Sequence, residues 1–303
     1  MKTNVIFLCL IMSSFLYAQT SLLQDKGGET SLVMHDKKSI SINAGDANVL
    51  LSMSFNKPKW FIGGSAKFKS TDGVANLLDG YKFNPEVGFT IYGGNYLKAK
   101  DYQYQFFFYA FKLVNTKYNL LKNDNSNTFD SKTFTGYTFT VGYNNLTAVH
   151  FLVPKDGVDS SFLWGGSANF GSVNNLDDLK SVQTFTTSDV ISGSTVTTLQ
   201  KDKKQGFEGL YYTETALRVN LDGYLFPQLF GGRFGVGGYV RSKLTGTNRK
   251  NDAGLGIILG EKDAPSNIVL GVLYQFNDVF NQLDSESNVI ERGGINLIAG
   301  YNF

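Results

Sequence analysis

Six charged residues in the stretch 214–243 are the candidates for a functional site in this sequence. They are Glu214, Arg218, Asp222, Arg233, Arg241 and Lys243. Side chains two residues apart point to the same face of an extended strand, and Leu217, Val219 and Leu221 occupy the other face of the first segment. If two adjacent strands carry these charges, the acidic and basic groups lie within pairing distance. The set fits either a water-filled pore lined by charge or a structural network of ion pairs in a filled interior.

Catalysis has little support in the residue types. The chain contains 2 histidines, of which His35 lies in a polar segment and His150 lies between Val149 and Phe151. Neither histidine belongs to a Ser/His/Asp spacing or an H-E-x-x-H motif, and no cluster of metal ligands stands out. We therefore predict that the protein is not an enzyme and has no catalytic residue, cofactor or metal site.

The composition excludes further classes of protein. The 28 Lys and Arg residues nearly balance the 26 Asp and Glu residues, so the chain has no electrostatic footprint for a nucleic-acid partner. The single cysteine, Cys9, lies near the start of the chain, in a segment that we expect to be removed. The remaining chain then has neither a disulfide nor a cysteine ligand for a metal.

The first residues have the layout of a secretory signal peptide. Lys2 precedes an apolar run from Val5 to Leu16, and Ala18 precedes polar residues. The run is too short for a transmembrane helix, and no later stretch approaches 18 consecutive apolar residues. We predict a signal peptide over 1–18, a short periplasmic segment over 19–36 and a single strand-rich domain over 37–303.

Apolar and polar residues alternate along most of this domain, which is the period of a β-strand. We predict fourteen strands, at 37–44, 48–56, 59–69, 85–96, 102–117, 133–143, 147–153, 161–171, 180–190, 207–225, 232–244, 252–261, 267–277 and 292–303. Short connections, at 57–58, 97–101, 144–146, 226–231 and 262–266, alternate with long ones at 70–84, 118–132, 191–206, 245–251 and 278–291. Losing the strands at 147–153 and 180–190 would leave twelve.

One face of these strands is apolar and the other is small or polar. The apolar face includes Val49, Leu51, Met53, Phe55, Ile62, Ala66, Phe68, Val87, Phe89, Ile91, Tyr137, Phe139, Val141, Leu255, Ile257, Leu259, Ile268, Leu270, Val272, Tyr274 and Phe276. Such a face lies either in the core of a soluble sandwich or on the lipid-facing wall of a barrel. Export and the alternation of short with long connections favour the barrel.

Two strands carry similar sequences. The segment 61–68 reads FIGGSAKF, and the segment 163–170 reads LWGGSANF. A duplicated unit would explain the similarity. The strand count above gives these two strands opposite directions, so either the similarity is accidental or the count is wrong by one strand between them.

The last strand, 292–303, reads RGGINLIAGYNF and ends in the aromatic pair Tyr301 and Phe303, one residue apart. It resembles the closing strand of Gram-negative outer-membrane β-barrels. The resemblance implies an all-β, transmembrane, antiparallel up-and-down barrel of about fourteen strands, with short periplasmic turns and longer extracellular loops. It also implies a place in the outer membrane, contact with its lipid and with the barrel-assembly machinery, and an assembly signal in Tyr301 and Phe303.

No motif specifies a substrate. The chain resembles the small porin-like barrels, so we expect a passive channel for small solutes, as a monomer or weak oligomer. The alternative is a non-conducting barrel that acts through its extracellular loops.

The terminal strand provides a first test. Replacing Tyr301 and Phe303 together by Asp should impair assembly, because both side chains are expected to face lipid and to form the assembly signal. The amount of barrel in outer-membrane fractions measures the effect. Normal levels of the double variant would contradict the resemblance.

Overall fold

The computed structural model describes much of the predicted domain. The described residues are 39–43, 48–69, 86–100, 103–122, 128–149, 160–176, 179–192, 195–227, 233–246, 248–260, 268–282 and 288–302. The predicted segments 1–18 and 19–36, together with His35, His150 and Phe303, lie outside them. Within the described residues, no helix has the length and apolar character needed to cross a membrane.

Fourteen strands follow one another along the chain. They are β1 (Ser39–Asn43), β2 (Asn48–Asn56), β3 (Trp60–Lys69), β4 (Glu86–Lys100), β5 (Gln103–Leu121), β6 (Phe129–Val149), β7 (Ser160–Asn174), β8 (Lys180–Ser192), β9 (Thr195–Glu208), β10 (Thr213–Phe226), β11 (Phe234–Thr245), β12 (Arg249–Gly260), β13 (Ile268–Phe276) and β14 (Gly294–Asn302).

Twelve of these strands form a ring. Strands β1 to β7 pair with their neighbours in order, β7 pairs with β10, and β10 to β14 again pair in order, always antiparallel. The pairing of β14 with β1 returns to the start. Strands β8 and β9 form a hairpin outside the ring, joined to it by one parallel bridge between Leu120 and Phe207. The predicted antiparallel barrel is confirmed, with twelve strands in the ring rather than fourteen.

The smaller count has specific causes. The turn predicted at 144–146 is strand interior, because Asn144 lies opposite both Phe106 and Gly165, and the predicted strand 147–153 coincides up to Val149 with the end of β6. The predicted strand 180–190 is real but belongs to the hairpin as β8. The predicted strand 207–225 belongs to two strands. Strand β9 ends at Glu208 and β10 begins at Thr213, and Gly209 between them has a φ of 132°.

This correction also affects the two similar segments. Strands β3 and β7 are both odd-numbered in the ring and therefore run in the same direction. Phe61 and Leu163, at matching positions in the two segments, are both buried inside the ring. The objection to a duplication therefore no longer holds.

The connections differ between the two ends of the ring. The end with Ser39 and Asn302, here the terminal rim, has the connections 57–59, 101–102, 150–159, 227–233 and 261–267. The other end, here the loop rim, has the connections 44–47, 70–85, 122–128, 175–212, 246–248 and 277–293. The three longest connections lie at the loop rim, as predicted.

The outer wall of the ring is apolar and exposed. Phe89 is 59% exposed and Leu255 is 64% exposed. Of the residues predicted for the apolar face, Met53, Phe55, Ile62, Phe89, Ile91, Tyr137, Phe139, Val141, Leu255, Ile257, Leu270 and Val272 are exposed large hydrophobics. We call this band of side chains the apolar belt. A soluble protein would not leave so large an apolar surface in water.

Seven other residues of the predicted apolar face, Leu51, Ala66, Phe68, Val87, Leu259, Tyr274 and Phe276, are half-buried. The prediction was wrong for Val49, which is 8% exposed, and the side chain of Ile268 lies outside the described residues.

Inside the ring, aromatic rings lie across glycines of neighbouring strands. Phe61 lies over Gly94, and Tyr239 lies over Gly254, so that a Cβ atom on either glycine would collide with the ring. Two buried clusters result. One contains Leu163, Tyr224, Phe226, Tyr239, Ile258 and Leu273, and the other contains Phe61, Tyr92, Phe106 and Phe108.

The contact between Tyr239 and Gly254 gives a stability prediction. A Gly254→Ala change should destabilise the barrel by about 1–3 kcal/mol, because the buried ring of Tyr239 must move. Gly64→Ala is the matched control, since the nearest atom to its Cβ would be at 3.4 Å. The temperature at which the folded band converts to the unfolded band on a denaturing gel measures both changes. Equal shifts for both would contradict the prediction.

Candidate functional site

A buried ion pair joins β10 and β11 inside the ring. The Nη2 atom of Arg241 donates a hydrogen bond of 2.7 Å to Oδ1 of Asp222, and Nη1 donates one of 3.0 Å to the carbonyl oxygen of Leu221. The side chains of Arg241 and Asp222 are 6% and 0% exposed. A buried charge is tolerated only when it is paired and hydrogen-bonded, and both conditions hold here.

Polar side chains extend this site across neighbouring strands. The guanidinium carbon of Arg241 lies 4.5 Å from the centre of the Tyr239 ring, and the Tyr239 hydroxyl donates a 2.7 Å hydrogen bond to Oε1 of Gln275 on β13. On the other side, Nδ2 of Asn220 donates a 3.2 Å hydrogen bond to Oγ of Ser167 on β7. The polar band therefore reaches from β7 to β13.

The loop after β13 is held to the barrel beside this band. The Asp278 backbone N–H donates a 2.7 Å hydrogen bond to Oδ1 of Asp252, and Nη2 of Arg292 donates one of 2.9 Å to the Asp278 carbonyl oxygen. Asn251 also donates a 2.6 Å hydrogen bond to Oε1 of Gln282. Asp278 has a φ of 45°, a left-handed conformation that aspartate tolerates better than most residues. These contacts fix the loop at the loop rim.

The structure brings some of the predicted site residues together and separates one. Every second residue of a strand faces the inside of the barrel, and we say that these residues have inward parity. On β10 they include Glu214, Arg218 and Asp222, and on β11 they include Arg241 and Lys243. In the register of these strands, Arg218 lies opposite Lys243 and Asn220 lies opposite Arg241.

Arg233 does not belong to this group. It is exposed and precedes β11 at the terminal rim. It lies eight residues from Arg241, which is about 26 Å along an extended strand.

In the predicted assembly signal, Tyr301 pairs with Ile40 across the junction that closes the ring.

Sequence reasoning missed the contribution of β12 and β13. Asp252 lies opposite Arg241, and its Oδ2 atom is 3.6 Å from Nζ of Lys250. Both residues have the inward parity of β12, so the alternation of that strand was the signal that could have found them. Gln275 has the inward parity of β13, so alternation placed it inside the barrel, but its contact with Tyr239 across β12 could not be read from the sequence.

A cavity opens between β6 and β7 near the loop rim. It has a volume of about 430 Å³ and is lined by Thr133, Phe134, Thr135, Ser172, Tyr211, Thr213, Glu214 and Thr215. Beside it, the ring centres of Tyr118 and Tyr211 lie 4.8 Å apart.

The described residues contain no group of three or more His, Cys, Asp or Glu side chains placed to hold a metal ion. The interior site is thus a set of paired charges and amide side chains. Such groups can orient a polar solute or hold strands in register.

The ring pairing, the exposed apolar belt and the polar band inside it together decide the fold. The chain is a closed, antiparallel up-and-down β-barrel with an apolar outer wall. No family model matches the sequence, and no curated protein matches it. Among solved structures, the chain is similar to the beta domain of the Bordetella autotransporter BrkA, with 11% identity over 88% of this chain and 96% of that chain, and a TM-score of 0.37. The fold assignment rests on the strand pairings.

The buried ion pair gives a second stability prediction. Asp222→Ala should cost about 3–5 kcal/mol, because it leaves the Arg241 charge buried without its carboxylate. Adding Arg241→Met should recover part of this loss. Glu208→Gln is the control, since its partner Lys180 is 77% exposed and a surface pair contributes about 0–1 kcal/mol. Urea unfolding in detergent measures all three. A double variant less stable than Asp222→Ala would contradict the prediction.

Proposed function

We propose that the protein is a barrel in the outer membrane of a Gram-negative bacterium, with a closed interior, and that it acts through its loop rim outside the cell. The apolar belt supports contact with membrane lipid, because water would not stabilise it. The predicted signal peptide supports export, and the barrel-assembly machinery would insert the chain. In this proposal the barrel performs no catalysis and binds no nucleic acid.

The observation that carries the proposal is the burial of inward side chains. Tyr224, Phe226 and Leu273 are 0% exposed on one arc of the ring, and Phe61 is 1% exposed on the opposite arc. A water-filled pore would leave inward side chains in contact with water. Their burial on both arcs supports an interior that is filled at this height.

The loop rim offers the larger surface for interaction. Its connection 175–212 contains β8, of 13 residues, and β9, of 14 residues, which form a ribbon about 43 Å long. An isolated two-stranded ribbon is marginally stable. Phe207 at its base packs against a cluster that contains Tyr118, Phe134 and Leu176. This packing supports a ribbon that is anchored at the rim and available to a partner.

A passive channel for small solutes is the second candidate. The inward polar residues along β10, which are Glu214, Arg218, Asn220 and Asp222, favour it, because a continuous row of polar groups along the barrel is what a solute path requires. The channel would then run along this row.

Conductance of the refolded protein in planar bilayers separates the two candidates. We expect no steady conductance from the wild-type barrel. We expect a measurable leak after Tyr224→Ala with Phe226→Ala, since both rings fill the interior.

Steady conductance of the wild type would overturn the closed barrel in favour of the channel. In that case Arg218→Glu with Lys243→Glu should shift the reversal potential towards cation preference. These two residues are better targets than Arg241, which holds the buried pair.

A further inference from the structure

The cavity between β6 and β7 lies where the two strands separate. They pair from Val149 opposite Ser160 to Thr138 opposite Gly171. Beyond that point β6 continues only beside β5, and β7 continues only beside β10, within the described residues. A Cβ atom on Gly171 would collide with the carbonyl oxygen of Tyr137, so the two strands lie close together at the last pair. We call the gap above this pair the seam.

The seam passes through the wall of the barrel. On β6, Thr133 and Thr135 have outward parity and Phe134 has inward parity. On the far side, Thr215 is outward and Glu214 is inward. Because successive side chains of a strand point to opposite faces, a cavity lined by both parities crosses the sheet. It therefore connects the inside of the loop rim with the outside of the barrel.

The seam lies at the upper limit of the apolar belt. Directly below it, the exposed outward residues are Phe139 on β6, Phe170 on β7 and Leu217 on β10. At the level of the seam, the outward residues that line the cavity are the hydroxyl-bearing Thr133, Thr135, Ser172, Thr213 and Thr215, and Tyr137, the last belt residue of β6, lies one residue beyond the last pair. In an outer-membrane barrel this is the height at which lipid head groups meet the wall.

The lining has the chemistry of a site for a neutral, hydroxyl-rich group. Five of the eight residues carry an aliphatic hydroxyl, Phe134 and Tyr211 contribute aromatic rings, Glu214 contributes a carboxylate, and none is basic. Hydroxyls donate and accept hydrogen bonds, a carboxylate accepts them, and aromatic faces pack against apolar C–H groups. A phosphate would need Arg, Lys or several N–H donors, and the lining has no basic residue. The volume of about 430 Å³ falls within the roughly 300–1,000 Å³ of small-molecule sites.

We propose that the seam binds a sugar ring, presented as the head group of a glycolipid whose acyl chains lie along the apolar belt. A free saccharide offers the same ring without the chains. The proposal rests on the outer-membrane placement proposed above, and it does not depend on whether the barrel conducts.

Native mass spectrometry of the full barrel released from lipid nanodiscs tests the proposal. The discs contain phosphatidylcholine with equal amounts of a monoglucosyl diacylglycerol and phosphatidylglycerol. We expect the glycolipid to be retained about tenfold over phosphatidylglycerol, the ratio given by one or two net hydrogen bonds. Equal retention of the two lipids would overturn the proposal.

Variants locate the site. Ser172→Trp and, separately, Thr213→Trp place an indole in the seam and should abolish the enrichment. Ser131→Trp is the matched control, because Ser131 is an exposed outward residue of β6 that does not line the cavity. Enrichment that survives both seam variants would overturn the proposal.

A competition arm separates the two sources of the sugar. Displacement of the glycolipid by millimolar maltose would show that the ring alone suffices, and no displacement would assign the site to a membrane-anchored glycolipid. A barrel that inserts and shows the heat-dependent gel shift but has no enrichment overturns only this proposal. A chain that fails to insert overturns the outer-membrane placement and this proposal with it.

Discussion

Closure of the ring is the constraint on which the rest of the structure depends. In the membrane that we propose for this barrel, the wall cannot leave backbone N–H and C=O groups unpaired, since each would cost several kcal/mol without water. The pairing of β1 with β14 satisfies this requirement at the junction of the two ends of the chain. The seam between β6 and β7 opens at the upper limit of the apolar belt, just beyond Thr138 and Gly171, where in the proposed membrane water and head groups can bond to the strand edges.

Closure in turn creates an interior that has to be filled or hydrated. This sequence fills it with aromatic rings, and the glycines that face inward on neighbouring strands make room for them, as at Phe61 and Gly94. The large shares of glycine and aromatic residues therefore have one common cause. The buried pair of Arg241 and Asp222 adds specificity rather than much net stability, because desolvation offsets most of its attraction.

The outer face and the inner face follow from local sequence, but the height of a residue in the barrel does not. Arg233 and Arg241 have the same parity on one segment, and parity alone made them equivalent candidates. The strand register separates them, because Arg233 lies at the terminal rim and Arg241 lies opposite Asn220 and Asp252. The strand register also shows that Asp252, Tyr239 and Gln275 belong to the site, because only the register shows which inward residues lie next to one another.

The sequence by itself determined which face of most strands is apolar, because the period of two is a local property of the chain. The barrel class needed the predicted export and the pattern of connection lengths as well. It could not determine how many alternating segments enter the ring. A ribbon such as β8 and β9 has the same alternation as a wall strand, and the difference is whether a second neighbour pairs with it. The break at Gly209, the passage of β6 through Asn144 and the stagger that opens the seam were likewise decided by tertiary structure, since each depends on pairing between residues far apart in sequence.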